Sequence, residues 1–248
     1  MTTRSAKVLA LSTCLCYGAA MVAAAAAQTA YTFTTFTVPN STETAPFGIN
    51  DSGEVTGFYG ASPSGGQIGF LRLVSGQVTT VLYPGASGSL ANGINDSGVV
   101  AGTYWDANQS ALAGFLYRAG MYENVVVNRQ PAAVDDVNDN GYYVGTYGTS
   151  QSFTAFMASP DGNFTILKYP GGYRTAAAWI KNSGEIIGTY GDRFQGLHTF
   201  LYNAKSGYKT IQIPGLPGAT IRRYQLQWRD RRLLFRRRHR SGFRLPGR

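Results

Sequence analysis

The chain has 248 residues, 44% of them hydrophobic and 13% aromatic, which is enough for one large domain with a buried core. Its net charge of +9 is unevenly placed. Residues 28–220 hold nine Lys and Arg against twelve Asp and Glu, whereas the last 28 residues hold eleven Arg and one Asp. A slightly acidic body with basic charge confined to one end excludes a generic polyanion binder.

The chain opens with an export pattern. Arg4 and Lys7 precede an apolar run over 8–26, and the alanines at 25–27 offer a small-residue cleavage site before Gln28. The competing reading is a membrane-spanning helix, since the run is almost long enough. Alanine richness and the small-residue exit favour a cleaved signal over 1–27. Cys14 and Cys16 leave with it, so the mature core holds without disulfides. The expected location is secreted, periplasmic or at the cell surface, with no membrane span after cleavage.

From there on a repeat organises the sequence. "GINDSGEVTGFY" (48–59) returns as "GINDSGVVAGTY" (93–104), "DVNDNGYYVGTY" (136–147) and "WIKNSGEIIGTY" (179–190). A second marker follows each: "GFLRL" (69–73), "GFLYR" (114–118), "AFMAS" (155–159) and "TFLYN" (199–203). A third closes the unit: "VTTVLYPG" (78–85), "FTILKYPG" (164–171) and "KTIQIPG" (209–215), with "YENVVVNRQP" (122–131) as a degenerate copy.

Each unit thus predicts three short strands over a domain spanning 28–220. The Asn-Asp-Ser-Gly cluster predicts a tight turn, because Asx side chains bond nearby backbone and glycine takes positive φ freely. Gly53, Gly98, Gly141 and Gly184 are the expected positive-φ residues. Gly57, Gly102, Gly145 and Gly188 recur in mid-strand, where a missing side chain permits a bulge or close packing. Nothing after the signal has a helical period. An all-β repeat of about 44 residues matches the length of a β-propeller blade. An open array or a β-sandwich of hairpins is the alternative. "YTFTTFTVPN" (31–40) resembles the last strand of a unit without its predecessors, as a ring needs to complete its final blade and remove an open edge.

The next unit is due near position 224, where the arginine-rich run begins. Read one base later from the Tyr224 codon, with permitted codon choices, the tail becomes "INSNGEIAGYYFDAGTDRAFVYR". Much of that match is chosen through Arg and Leu degeneracy. The glycine forced by Trp228 followed by Arg229 is not, and neither is the spacing of 44 from Ile180. Residues 221–248 therefore read as a frameshifted fifth repeat, which would make a five-bladed propeller. A disordered charged extension and an anion-binding arm are the competing readings.

With "GINDSGEVTGFY…GFLRL…VTTVLYPG", over about residues 31–215, the chain resembles the HAF-type extracellular repeat proteins of bacteria. The namesake His-Ala-Phe is kept loosely, as "HTF" at His198-Thr199-Phe200 and as "IGF", "AGF" and "TAF" elsewhere. The resemblance implies an exported, propeller-like protein and carries no catalytic residue with it.

Chemistry is sparse. There is no Gly-x-Ser-x-Gly, no mature cysteine and no phosphate-cradling loop. His198, the only histidine before the tail, sits at a marker position and reads as structural. Asp136-x-Asn138-x-Asn140-Gly141 matches the opening of a calcium loop but lacks the later bidentate acid, so an Asx-rich turn is the expectation. No metal or cofactor is expected, nor is nucleic acid as a partner. Asp106, Glu123, Asp135 and Asp192 are the acids left for polysaccharide cleavage.

The stretches that differ between copies lie between the first strand and the marker. They supply the candidate ligand-binding residues Trp105, Asp106, Asn108, Gln109, Arg193, Phe194 and Gln195, an aromatic-plus-polar set suited to a carbohydrate or protein ligand outside the cell. The expected function is a non-catalytic binding or structural module. A carbohydrate-active enzyme, lyase or hydrolase, is the alternative.

Overall fold

The computed structural model describes residues 34–61, 66–105, 112–149, 152–194 and 196–212. The expected signal at 1–27 and the basic tail at 221–248 lie outside them. The chain divides into an N-terminal unit, 1–36, and a main unit, 37–248. Every described strand belongs to the main unit.

All sixteen regular elements are strands, and no helix occurs among the described residues. They form four successive antiparallel meanders of four strands each. The first repeat comprises β1 (Glu43–Ile49), β2 (Val55–Gly60), β3 (Gln67–Arg72) and β4 (Val78–Val81). The second comprises β5 (Gly88–Ile94), β6 (Val100–Trp105), β7 (Leu112–Arg118) and β8 (Met121–Val127). The third comprises β9 (Gln130–Val137), β10 (Tyr143–Gly148), β11 (Phe153–Ala158) and β12 (Phe164–Leu167). The fourth comprises β13 (Arg174–Ile180), β14 (Ile186–Gly191), β15 (Leu197–Asn203) and β16 (Gly207–Ile211).

The expected three strands per repeat are therefore four. The strand that sequence reasoning missed precedes the Asx turn, and its composition explains the omission. "GSLANGI" and "RTAAAWI" are rich in Gly and Ala, residues depleted in strands. Small residues are needed there because the first strands of successive repeats lie backbone to backbone. A Cβ added to Gly48 would sit 3.2 Å from the Gly93 Cα, and one added to Gly93 would sit 3.1 Å from the Asp136 Cα. Each first strand also carries a bulge at an equivalent place, leaving Phe47, Asn92, Asp135 and Ala178 as the extra residues.

The repeated glycines and phenylalanines form one device. Gly57, Gly102, Gly145 and Gly188 pair directly across the sheet with the fully buried Phe70, Phe115, Phe156 and Phe200. A methyl group at any of these glycines would overlap a first-strand carbonyl and crowd the facing ring. Burying each ring contributes about 1.5–3 kcal/mol.

Cores lie between repeats rather than within them. Val81 and Leu71 of the first pack with Ala91, Ile94 and Val100 of the second. Val125 and Val127 join Val134, Val137 and Phe156 of the third, and Leu167 joins Ile180 and Ile186 of the fourth. An isolated repeat would expose its core face.

Two kinds of connection link the repeats. Tyr83-Pro84-Gly85-Ala86 and Tyr169-Pro170-Gly171-Gly172 are four-residue turns closed by backbone bonds of 3.0 and 2.9 Å, with glycine at φ 79° and 73°. Proline followed by a positive-φ residue defines the type II turn. Val38-Pro39-Asn40-Ser41 makes the same turn, with Asn40 at φ 59°. Residues 34–40, the described part of the expected orphan strand, carry no strand. The degenerate "VVVNRQP" differs for a physical reason: Asn128 and Arg129, at φ 51° and 62°, form a two-residue hairpin that pairs β8 with β9 and joins the second and third repeats into one eight-stranded sheet.

Candidate functional site

Antiparallel meanders sort the connections by end. The Asx turns lie at one end of every repeat, whereas the β2–β3 type loops and the links between repeats lie at the other. The two ends differ in chemistry.

At the turn end the Asx residues hold their own turns and the neighbouring repeat. Oδ1 of Asn50, Asn95 and Asn138 accepts the backbone N–H four residues on, each at 2.9 Å. Nδ2 of the same residues donates to the backbone carbonyls of Asn95, Asn138 and Lys181, at 3.2, 2.9 and 2.9 Å. A second rail runs alongside. The N–H groups of Asp51, Asp96 and Asp139 donate to Oδ1 of Asp96, Asp139 and Asn182, at 2.8, 2.7 and 2.9 Å. Turns from all four repeats line one cavity of about 330 Å³, with Ile49 and Trp179 among its walls. The ladder occupies most of its polar groups, so the cavity reads as a structural hub. The calcium-like motif is absorbed in the same way: Asp136 accepts the Ile180 N–H at 3.1 Å, and Asn140 donates to the Asn182 carbonyl at 2.9 Å.

Tyrosines stitch the sheets side by side, as cross-strand packing requires. Tyr83 stacks on Tyr104 with centroids 4.0 Å apart, and edges of Tyr122 close on Tyr83 and Phe115. Two repeats later Tyr169 stacks on Tyr190 at 3.6 Å, with Tyr208 and Phe200 in the equivalent places.

At the loop end, four of the seven predicted residues (Asp106, Asn108, Gln109 and Gln195) lie outside the described residues. Trp105 closes β6 half-buried, its carbonyl accepting the Ser87 N–H at 3.0 Å and its ring packed beside Gly88. Arg193 and Phe194 come together on the loop after β14. Asp192 builds that loop: Oδ1 accepts the N–H groups of Phe194 and Gly196 at 2.8 Å each, and Oδ2 lies 2.8 Å from His198 Nε2. Its carboxyl is held below the usual carboxylate range, first by the His198 bond and then by the backbone donors. His198 in turn stacks on Tyr190 at 5.0 Å. Phe194 is left 77% exposed, with the Arg193 guanidinium 4.8 Å from its ring centroid.

A second cation–aromatic group, not foreseen from the sequence, accompanies it. Tyr173 is 67% exposed and donates its N–H to the Gly191 carbonyl at 2.8 Å, which fixes it beside the base of the same loop. The Arg174 guanidinium lies 5.4 Å from the Tyr173 ring and 5.6 Å from Phe153. The available signal was divergence: Tyr173-Arg174 follows the Pro-Gly turn where the first and second repeats carry Thr42-Glu43 and Ser87-Gly88.

The acids considered for cleavage are scattered in role. Asp106 lies outside the described residues, Glu123 is exposed on β8, and Asp192 serves its loop. Asp135, at the β9 bulge, keeps partial solvent exposure while protein surrounds it. Burial and then the neighbouring Asp136 push its carboxyl up to about 7. Among the described residues, no group of three or more His, Cys, Asp or Glu is placed to hold a metal ion.

No family model and no curated protein matches the chain. Similar solved structures include an Aleuria aurantia lectin in complex with Fucα1-6GlcNAc, with 10% identity over 67% of this chain and 60% of that one and a TM-score of 0.42. An AofleA variant from Arthrobotrys oligospora gives 16% identity over 70% and 58%, with a TM-score of 0.44. A streptogramin B lyase gives 12% over 75% and 73%, with a TM-score of 0.36. The chain thus spans about three fifths of the first two. At scores and identities this low, the likenesses carry no argument about ligand or chemistry.

Proposed function

We propose that the chain is an exported, non-catalytic binding module of the HAF-type repeat kind, its repeats arranged as the blades of a β-propeller and its loop end facing the ligand. Convergence of four Asx turns on one cavity supports the ring, since blades meet at their axis in this way. The observation that carries the binding role is the pair of exposed cation–aromatic groups, Arg193–Phe194 and Arg174–Tyr173. Both are set on a loop and link that the repeated scaffold holds in place. Exposed rings stack on the apolar faces of sugars, and guanidinium groups donate to hydroxyls, so a carbohydrate is the ligand class. A polysaccharide panel assayed by calorimetry tests this: binding should weaken at least tenfold in Phe194→Ala and in Tyr173→Ala, with circular dichroism unchanged. Binding indifferent to both changes would refute the assignment.

One observation favours a second reading, a polysaccharide lyase or hydrolase. Asp135, with no bonding partner among the described residues and a carboxyl that titrates near neutrality, has the character of a general acid. Turnover on the same panel that disappears in Asp135→Asn would establish it.

A further inference from the structure

Each contact between successive repeats has a direction, and at both ends of the array the same contact stops short. In the first three repeats the N–H of the second turn residue, Asp51, Asp96 or Asp139, donates to the Asx side chain of the next. The Asn182 N–H, last in that line, has no acceptor among the described residues, and the Asp51 carboxylate, first in line, accepts from no donor among them. Burial breaks at the same two places. The aliphatic residue before the turn is buried in Ile94, Val137 and Ile180 at 5, 4 and 3% exposure, yet Ile49 is 54% exposed. The last-strand residue facing the marker is buried in Val81, Val125 and Leu167 at 0, 4 and 1% exposure, yet Ile211 is only half-buried.

These are complementary deficits: the fourth repeat lacks what a following repeat supplies, and the first lacks what a preceding one supplies. We infer that a single further repeat fills both, bonding Asn182 on one side and Asp51 on the other, and that the gene encodes its turn, second strand and marker in the frame one base on from the Tyr224 codon. That frame begins "INSNG" at the required spacing, with an aliphatic residue for the core, an Asn for the first rail and a hydroxyl acceptor for the second. Its glycine is forced by Trp228-Arg229 whatever arginine codon is used. Reduced burial at both end faces and a second rail open at Asp51 and Asn182 belong to an unfinished array. The inference rests on the ring reading and on no ligand.

The parent chain and a frame-restored chain, each with and without Asp51→Ala, separate the possibilities. The restored chain should be a monomer by light scattering and melt more than about 4 °C above the parent. Asp51→Ala should lower the melting temperature of the restored chain alone. A restored chain that is more stable but indifferent to Asp51→Ala would mean a fifth repeat in an open array, which overturns closure and the ring reading together. Equal melting temperatures, a restored chain that fails to fold, or a parent chain that dimerises through the Asp51 face would each overturn the fifth repeat as occupant. Resequencing codons 216–248 from an independent template must show the extra or missing base. An unchanged frame there overturns the genetic half of the inference.

Discussion

Replacing Asn95 by alanine probes the ladder at its centre, where the residue is 3% exposed. The side chain accepts the Val99 N–H and the Ser97 hydroxyl, both at 2.9 Å, and donates to the Asn138 carbonyl at 2.9 Å. Ser97 is exposed and turns to water when its partner goes. The other two bonds are within or between packed repeats, and each contributes about 0.5–1.5 kcal/mol net, with an added cost for the donor left unmet at Val99. The expected loss is about 2–3 kcal/mol, or about 4–12 °C in melting temperature for a domain of this size. Urea unfolding followed by circular dichroism measures it, with Ser97→Ala as a control expected within about 0.5 kcal/mol of the parent. Asn95→Asp separates the two roles. It keeps the acceptor for Val99 but sets a carboxylate oxygen against the Asn138 carbonyl, so it should cost at least as much as alanine. If Asn95→Asp is neutral, or alanine costs less than about 1 kcal/mol, the bonds between repeats do not hold the array together.

Three further outcomes follow from the same contacts. In Gly102→Ala the added methyl would meet the Leu90 carbonyl oxygen at 2.6 Å and overlap the Phe115 ring, for a cost of about 1–3 kcal/mol. Gly98→Ala, at φ 76° with nothing within 4 Å, should cost only about 1 kcal/mol, and urea midpoints should rank the two in that order. Asp135, whose carboxyl is raised from 3.8 to about 7 in the fold, binds its proton more tightly folded than unfolded. Stability should therefore fall as pH rises from about 4 to 7, and Asp135→Asn should flatten that fall in a melting-temperature profile. Phe194→Ala should leave stability within about 0.5 kcal/mol of the parent, since its ring is exposed and only its backbone is held.

The sequence disclosed what each repeat needs locally and hid what it needs from its neighbour. Gly53, Gly98, Gly141 and Gly184 were legible because a tight turn demands positive φ, and they take 86, 76, 78 and 81°. The mid-strand glycines were legible as close approaches, though their partners were not. The Gly–Phe pairing joins the turn block to the marker block across a loop of changing length. The first strands were illegible because strand propensity reports a half-buried surface packed by large side chains, whereas these strands pack through backbone. At the loop end, reading within single loops singled out Arg193 and Phe194 and passed over the second cation–aromatic pair, Tyr173 and Arg174, which the preceding link sets beside the base of the same loop.

The Asx turns show why recurrence held more information than local preference revealed. A tight turn needs one Asx and one glycine, and Ser, Asn or Asp would serve at several of its positions. Yet Asn stands first in three copies, and Asp or Asn stands second in all four. Local chemistry leaves that second demand unexplained. The bonds between repeats supply its reason, because the second residue is the acceptor for the preceding repeat and Asn182 serves in the fourth as Asp96 and Asp139 do in the second and third. The fourth copy also replaces the leading Asn by Lys181, which bonds Glu185 at 3.3 Å within its own turn. Its outgoing contact is thus the most altered of the four, at the face where the array stops short. A position that repeats beyond its local need is a contact with the next repeat. Under the proposed binding role, residues such as Phe194 and Tyr173, which do not repeat, are the ones that meet the ligand.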